Sequence, residues 1–99
     1  MPMTHDDAVA RLRTCPGWQL QGDALVRQFT FPSFADAVAF IVRLGFDAEA
    51  SDHHPDLLVR YRKVTVTWST HSEGGVTARD FAGVAQADNA AAAFGAGQQ

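Results

Sequence analysis

Apolar residues recur along this chain with two different periods, and the switch between them divides it into elements. Phe34, Ala37, Val38, Ile41, Leu44 and Ala48 follow one another at helical spacing, with Ser33 placed to cap them and Asp36 at the third helical position. This helix should pack on a sheet and end within residues 49–51. Beyond it the period falls to two. Leu57, Val59 and Tyr61 alternate with Leu58, Arg60 and Arg62, and Val64, Val66 and Trp68 alternate with Thr65, Thr67 and Ser69, which predicts two strands. Their turn falls near Arg62 and Lys63, where the absence of Gly or Asn argues against an ideal two-residue primed turn. A loop of two or four residues centred there sets Tyr61 opposite Val64, Pro55 opposite Thr70 and His54 opposite His71. Directly opposed side chains have Cβ atoms about 5 Å apart, so this register gathers histidines at one end of the hairpin.

The flanking segments read as the same kinds of element. Residues 4–13 form a short helix with Thr4 as cap, Asp7 three residues on and an apolar stripe of Ala8, Val9 and Leu12; Pro16 and Gly17 stop it. Residues 18–20 and 24–31 are strands around the turn signal Gly22-Asp23. In the longer strand Leu25, Phe29 and Phe31 share a face with Arg27, which leaves open which face is core. Residues 72–75 form a loop whose glycines allow positive φ or close approach to a ligand. A last helix starts at Thr77, again with an Asp three positions on, and runs through Phe81, Val84 and Ala85 into the alanines at 90–93; residues 95–99 read as a frayed tail. The expected order is α-β-β-α-β-β-α. It describes an α+β fold, a four-stranded antiparallel sheet with three helices on one face, and residues 1–99 read as a single domain.

Composition narrows the function classes. A chain of 99 residues buries only about two-thirds of its unfolded surface, so association would add stability. The net charge of −3 leaves no basic excess for a phosphate backbone, and direct nucleic-acid binding is not expected. The single cysteine, Cys15, forms no internal disulfide, and residues 1–7 have neither a basic nor an apolar leader pattern, so a cytoplasmic protein is expected. No apolar run approaches the roughly 20 residues of a membrane span.

The candidate chemistry lies in residues 49–80, which hold three of the four histidines: His53 and His54 before Pro55, and His71. A neutral imidazole accepts or donates a proton near physiological pH, and several in one pocket serve a reaction that needs an acid and a base together, such as elimination of water. No serine lies in an elbow motif, and Cys15 sits in a distant segment beside Pro16. Three imidazoles could also hold zinc with an open position. Adjacent residues of extended chain point in opposite directions, however, so His53 and His54 would not easily face one ion. Asp80 follows Thr77 as Asp7 follows Thr4 and Asp36 follows Ser33, which reads first as a helix-start residue. Glu49 reads as a solvated carboxylate at a helix end, and Tyr61 and Trp68 as core.

Glu49, His53-His54-Pro55, Tyr61, His71 and Asp80, at their spacings, resemble the signature of the pterin-4a-carbinolamine dehydratases. The resemblance extends to Phe29-x-Phe31-x-Ser33-Phe34 and to Thr70-His71-x-x-Gly74-Gly75-x-Thr77-x-x-Asp80, and so spans nearly the whole chain. It implies a hydro-lyase, a 4a-hydroxytetrahydrobiopterin dehydratase that converts 4a-hydroxytetrahydropterin to quinonoid dihydropterin and water in pterin recycling. On this resemblance His53 and His71 are the acid/base residues, and His54 mainly binds and orients the pterin. Pro55, Ser69, Thr70 and Glu49 also contribute to substrate binding. Asp80 is a supporting carboxylate that could orient His71. The pterin is the substrate, and no metal or organic cofactor is implied. The resemblance further implies a homodimer or dimer of dimers, and allows a protein partner, a transcription factor or a hydroxylase.

Overall fold

Capping residues and apolar spacing set the helices where the sequence predicts them. In the computed structural model, which describes residues 2–97, α1 is His5–Leu12, α2 is Phe34–Ser51 and α3 is Ala78–Ala93. Thr4 Oγ1 accepts from the Asp7 N–H at 3.1 Å and Ser33 Oγ from the Asp36 N–H at 3.0 Å. Each hydroxyl thereby satisfies an amide that a helix start leaves without a partner. The strands are β1 Gln19–Gln21, β2 Ala24–Thr30, β3 Asp56–Arg60 and β4 Lys63–Trp68. They form one antiparallel sheet in the order β1-β2-β4-β3, and the α-β-β-α-β-β-α order is the one expected.

The helices cover one face of the sheet. Leu25 and Phe29 of β2, Phe31 just beyond it, and Val64, Val66 and Trp68 of β4 are buried against Phe40 and Leu44 of α2 and Phe81 and Val84 of α3. The core face of β2 is therefore the one that carries Arg27. Its guanidinium lies 4.5 Å over the Phe29 ring and donates to Asp88 Oδ1 at 3.0 Å and to the Pro16 carbonyl at 3.1 Å, so the stem packs while the charge reaches the edge. The Phe40 ring sits 5.4 Å from Phe29 and 4.9 Å from Phe31. Truncating Phe40 to Ala would cost about 3–5 kcal/mol.

The hairpin register differs from the expected one. Val64 faces Val59 rather than Tyr61, and Arg60 faces Lys63, so the turn is Tyr61-Arg62. Tyr61 makes the short turn by taking a φ of 55°, a left-handed conformation that costs a residue with a Cβ about 1–2 kcal/mol. Its side chain is 71% exposed and not core. The slip is two residues, so every side chain keeps its face while its partner changes. The ladder ends at Asp56 opposite Thr67, before the histidines, and neither the His54–His71 nor the Pro55–Thr70 opposition forms.

Two further expectations change. On α2 the buried positions are Ala37, Phe40, Leu44 and Ala48, whereas Phe34, Val38, Val42 and Phe46 are exposed. This helix is apolar on two sides. The C-terminal segment is also tied down: the Ala96 N–H bonds the Ala91 carbonyl and the Gly97 N–H bonds the Thr30 carbonyl, both at 3.1 Å. The rest of the expected tail, residues 98 and 99, lies outside the described residues.

Candidate active site

The end of α2 begins the site. Asp52 closes the helix at a φ of 51°, its N–H bonded to the Ala48 and Glu49 carbonyls, and its own carbonyl accepts from Arg79 Nη2 at 2.6 Å. The chain leaves this turn pointing toward α3. His53 then meets Asp80, Nε2 to Oδ1 at 2.6 Å, with the imidazole side chain 11% exposed and the carboxylate fully buried. The imidazole also lies on Trp68, ring centroids 5.4 Å apart at 20°. A buried carboxylate needs hydrogen-bond donors, and Asp80 has three: its Oδ2 takes the Thr77 N–H at 2.9 Å and the Thr70 hydroxyl at 2.8 Å. The acceptor-only carboxylate makes Nε2 of His53 a donor and leaves Nδ1 as the nitrogen that can exchange a proton.

The second part of the site follows β4. Thr70 and Gly75 pair across the loop through Thr70 N–H to the Gly75 carbonyl at 3.2 Å and the reverse bond at 3.4 Å. Between them His71–Glu73 form one 3₁₀ turn, closed by Gly74 at a φ of 74°, which explains the first glycine of the pair. His71 is exposed, with Nε2 at 3.3 Å from Ser69 Oγ. Ser69, Thr70 and His71 line a cleft of about 450 Å³ with Asp56, Thr67 and Gly75, a size suited to a small bicyclic ligand.

The three histidines thus do not line a single cavity. His71 faces the large cleft, and His53 lines a separate cavity of about 110 Å³ with Trp68. His54 turns outward to Glu49, Nε2 to Oε2 at 2.5 Å, with 53% and 76% of the two side chains exposed. The opposite directions expected of His53 and His54 are observed. Pro55 is half-buried beside them. Asp80 contacts His53, whereas it was expected to orient His71; it also closes the capping box with Thr77, as its spacing predicts. Among the described residues no group of three or more His, Cys, Asp or Glu is placed to hold a metal ion.

What joins the two parts is Thr70, buried with Thr77 and Asp80. Its hydroxyl donates to Asp80 and accepts from Thr77 Oγ1 at 2.9 Å, so the carboxylate that holds His53 is bonded to the residue immediately before His71. Sequence spacing marks Thr77 and Asp80 as a helix start but carries no signal for the carboxylate's other partners. Trp68 and Gly83 were likewise invisible as site residues. A Cβ on Gly83 would lie 2.5 Å from the Trp68 ring, so only glycine lets α3 rest on the indole that supports His53.

The profile of the family described as "Pterin 4 alpha carbinolamine dehydratase" matches residues 1–90. A Roseiflexus castenholzii protein named "Putative pterin-4-alpha-carbinolamine dehydratase" is 49% identical over 78 residues, 79% of this chain and 84% of that one. A Chloroflexus aurantiacus protein of the same name is 39% identical over 89 residues, covering 89% and 96% of the two chains. The crystal structure of a "transcriptional coactivator/pterin dehydratase" from Brucella melitensis superposes with a TM-score of 0.87 at 35% identity over 92% of this chain and 99% of the other. A pterin dehydratase-like protein described as a RuBisCO assembly factor in the alpha-carboxysome aligns with a TM-score of 0.62 at 25% identity, over 75% and 86%. The profile match over most of the chain and these relatives mean that the chain belongs to the pterin-4a-carbinolamine dehydratase family.

Proposed function

We propose that this protein dehydrates 4a-hydroxytetrahydropterin to quinonoid dihydropterin by histidine acid/base catalysis. The observation that carries the reading is the buried network His53–Asp80–Thr70, which ties an oriented imidazole to the strand end that presents His71. In the reaction the C4a–O bond breaks and the oxygen leaves as water after taking a proton. The N5–H bond breaks, and its electron pair becomes the second bond of N5=C4a. The step needs an acid at the hydroxyl and a base at N5. His53, with Nε2 tied to Asp80, exchanges its proton through Nδ1, and His71 works from the large cleft. His54, braced by Glu49, orients the pterin, and Ser69 offers a hydroxyl along the cleft wall; Thr70, expected to bind substrate, instead commits its hydroxyl to Asp80 and Thr77. The chemistry requires no metal or organic cofactor, and we place it in the cytoplasm.

Stopped-flow measurement of carbinolamine breakdown tests this. The expected result is acceleration over buffer by the wild type and its loss in the His53→Ala/His71→Ala double variant. Equal rates with and without protein would overturn the assignment.

A second reading concerns partners. Phe34, Val38, Val42 and Phe46 recur every fourth residue on the outer side of α2 and are 41–73% exposed. Such a stripe suits helix-against-helix packing. Self-association into a dimer or dimer of dimers uses this stripe, and a protein partner in transcription, in keeping with the name of the Brucella relative, would compete for it.

A further inference from the structure

The loop that presents His71 is held from a direction that the dehydration scheme does not use. His71, Ser72, Glu73 and Gly74 are all exposed, so burial contributes little to their order. Their position depends on the base of the loop, where the backbones of Thr70 and Gly75 pair. The two bonds of that base are long, 3.2 and 3.4 Å, against about 2.9–3.0 Å for an ordinary N–H···O bond. On the strand side Asp80 and Thr77 fix the Thr70 hydroxyl. On the other side lies the segment ahead of α1. The Met3 N–H donates to the Val76 carbonyl at 2.7 Å, and a Cβ on the buried Gly75 would lie 3.5 Å from Pro2 Cβ. This segment is anchored in turn: Met3 packs against the core, Thr4 caps α1 and Ala8 of that helix is buried, and the ring of Pro2 restricts its φ.

We propose that residues 2–3 are a strap that fixes the His71 loop, and that Met3 is a positioning residue acting through its backbone N–H. The bond to Val76 holds the residue that follows Gly75, and with it the Gly75 side of the base. Released there, the Thr70–Gly75 pair opens more often and the imidazole next to Thr70 loses its place in the cleft. A misplacement of about 1 Å can slow a reaction about a hundredfold. The effect on rate rests on the dehydratase reading; the strap itself does not.

The test uses the full chain with Met3→Pro, which removes the donated N–H, and with Met3→Leu, which keeps both the N–H and the packing. Amide hydrogen exchange reads the base of the loop directly. Met3→Pro should speed exchange at Thr70 and Gly75 about fivefold and leave the amides of β4 unchanged, while Met3→Leu behaves as the wild type. Unchanged exchange at Thr70 and Gly75 in Met3→Pro overturns the proposal. Equal acceleration across β4 overturns it too, since that would be a general loss of stability. Stopped-flow kinetics then reads the positioning. Met3→Pro should lower kcat about tenfold when His71 is present and change nothing further in a His71→Ala chain. A merely structural strap would slow both alike, and equal losses overturn the positioning role. If the wild type does not accelerate dehydration, the dehydratase reading fails while the exchange result still decides the strap.

Discussion

Asp80 holds Nε2 of His53 at 2.6 Å with one oxygen while its other oxygen takes the N–H of Thr77 at 2.9 Å. One buried carboxylate therefore starts a helix and orients an imidazole. Asp80→Asn is expected to lower stability by about 1–3 kcal/mol and to slow dehydration by about tenfold or more. Thr77→Ala should cost about 1 kcal/mol through the lost cap and leave the rate nearly intact. Urea unfolding and stopped-flow kinetics on both variants separate the roles. Equal rate losses in the two would mean that Asp80 acts only through the fold.

Gly83 is fixed by its neighbour rather than by its backbone. In an exposed helix Gly→Ala stabilises by about 1 kcal/mol, but here the new Cβ would lie 2.5 Å from the Trp68 ring. Gly83→Ala should therefore destabilise by about 1–3 kcal/mol through overpacking. Trp68→Leu in the same chain should recover part of the loss by making room. A stabilised Gly83→Ala single variant in urea titration would contradict the observed packing.

The β3–β4 turn makes an opposite prediction. Tyr61 sits at a φ of 55°, which glycine adopts without a Cβ penalty. Its cation–π contact with Arg62, 5.4 Å from ring to guanidinium, is at the surface and returns little. Tyr61→Gly should therefore be neutral or stabilising, by up to about 1 kcal/mol, equivalent to about 4–8 °C in Tm. A clear loss by calorimetry would argue for a turn placed at Arg62-Lys63 instead.

Phe46→Glu puts a charge into the α2 stripe at a position 73% exposed. Folding should be unaffected to within about 0.5 kcal/mol, whereas any assembly through this face should dissociate. Light scattering behind size exclusion reads the mass directly. An unchanged oligomer would move the contact elsewhere on the surface.

Local rules account for most of what the chain reveals before folding. Ser33, Thr4 and Thr77 as caps, the helical spacing through Leu44 and Ala48, and the alternation from Leu57 to Trp68 determine element type and order, because each depends only on neighbours a few residues away. The family signature, also a matter of spacing, points to His53, His54 and His71. Tertiary contacts decided the rest. Which side of α2 is core, the turn at Tyr61, the outward course of His54 and the partner of Asp80 all depend on groups distant in sequence. The bond from His53 to Asp80 spans 27 residues. Periodicity carries no term for such a pair, and only packing α3 against the strand end brings its two members together.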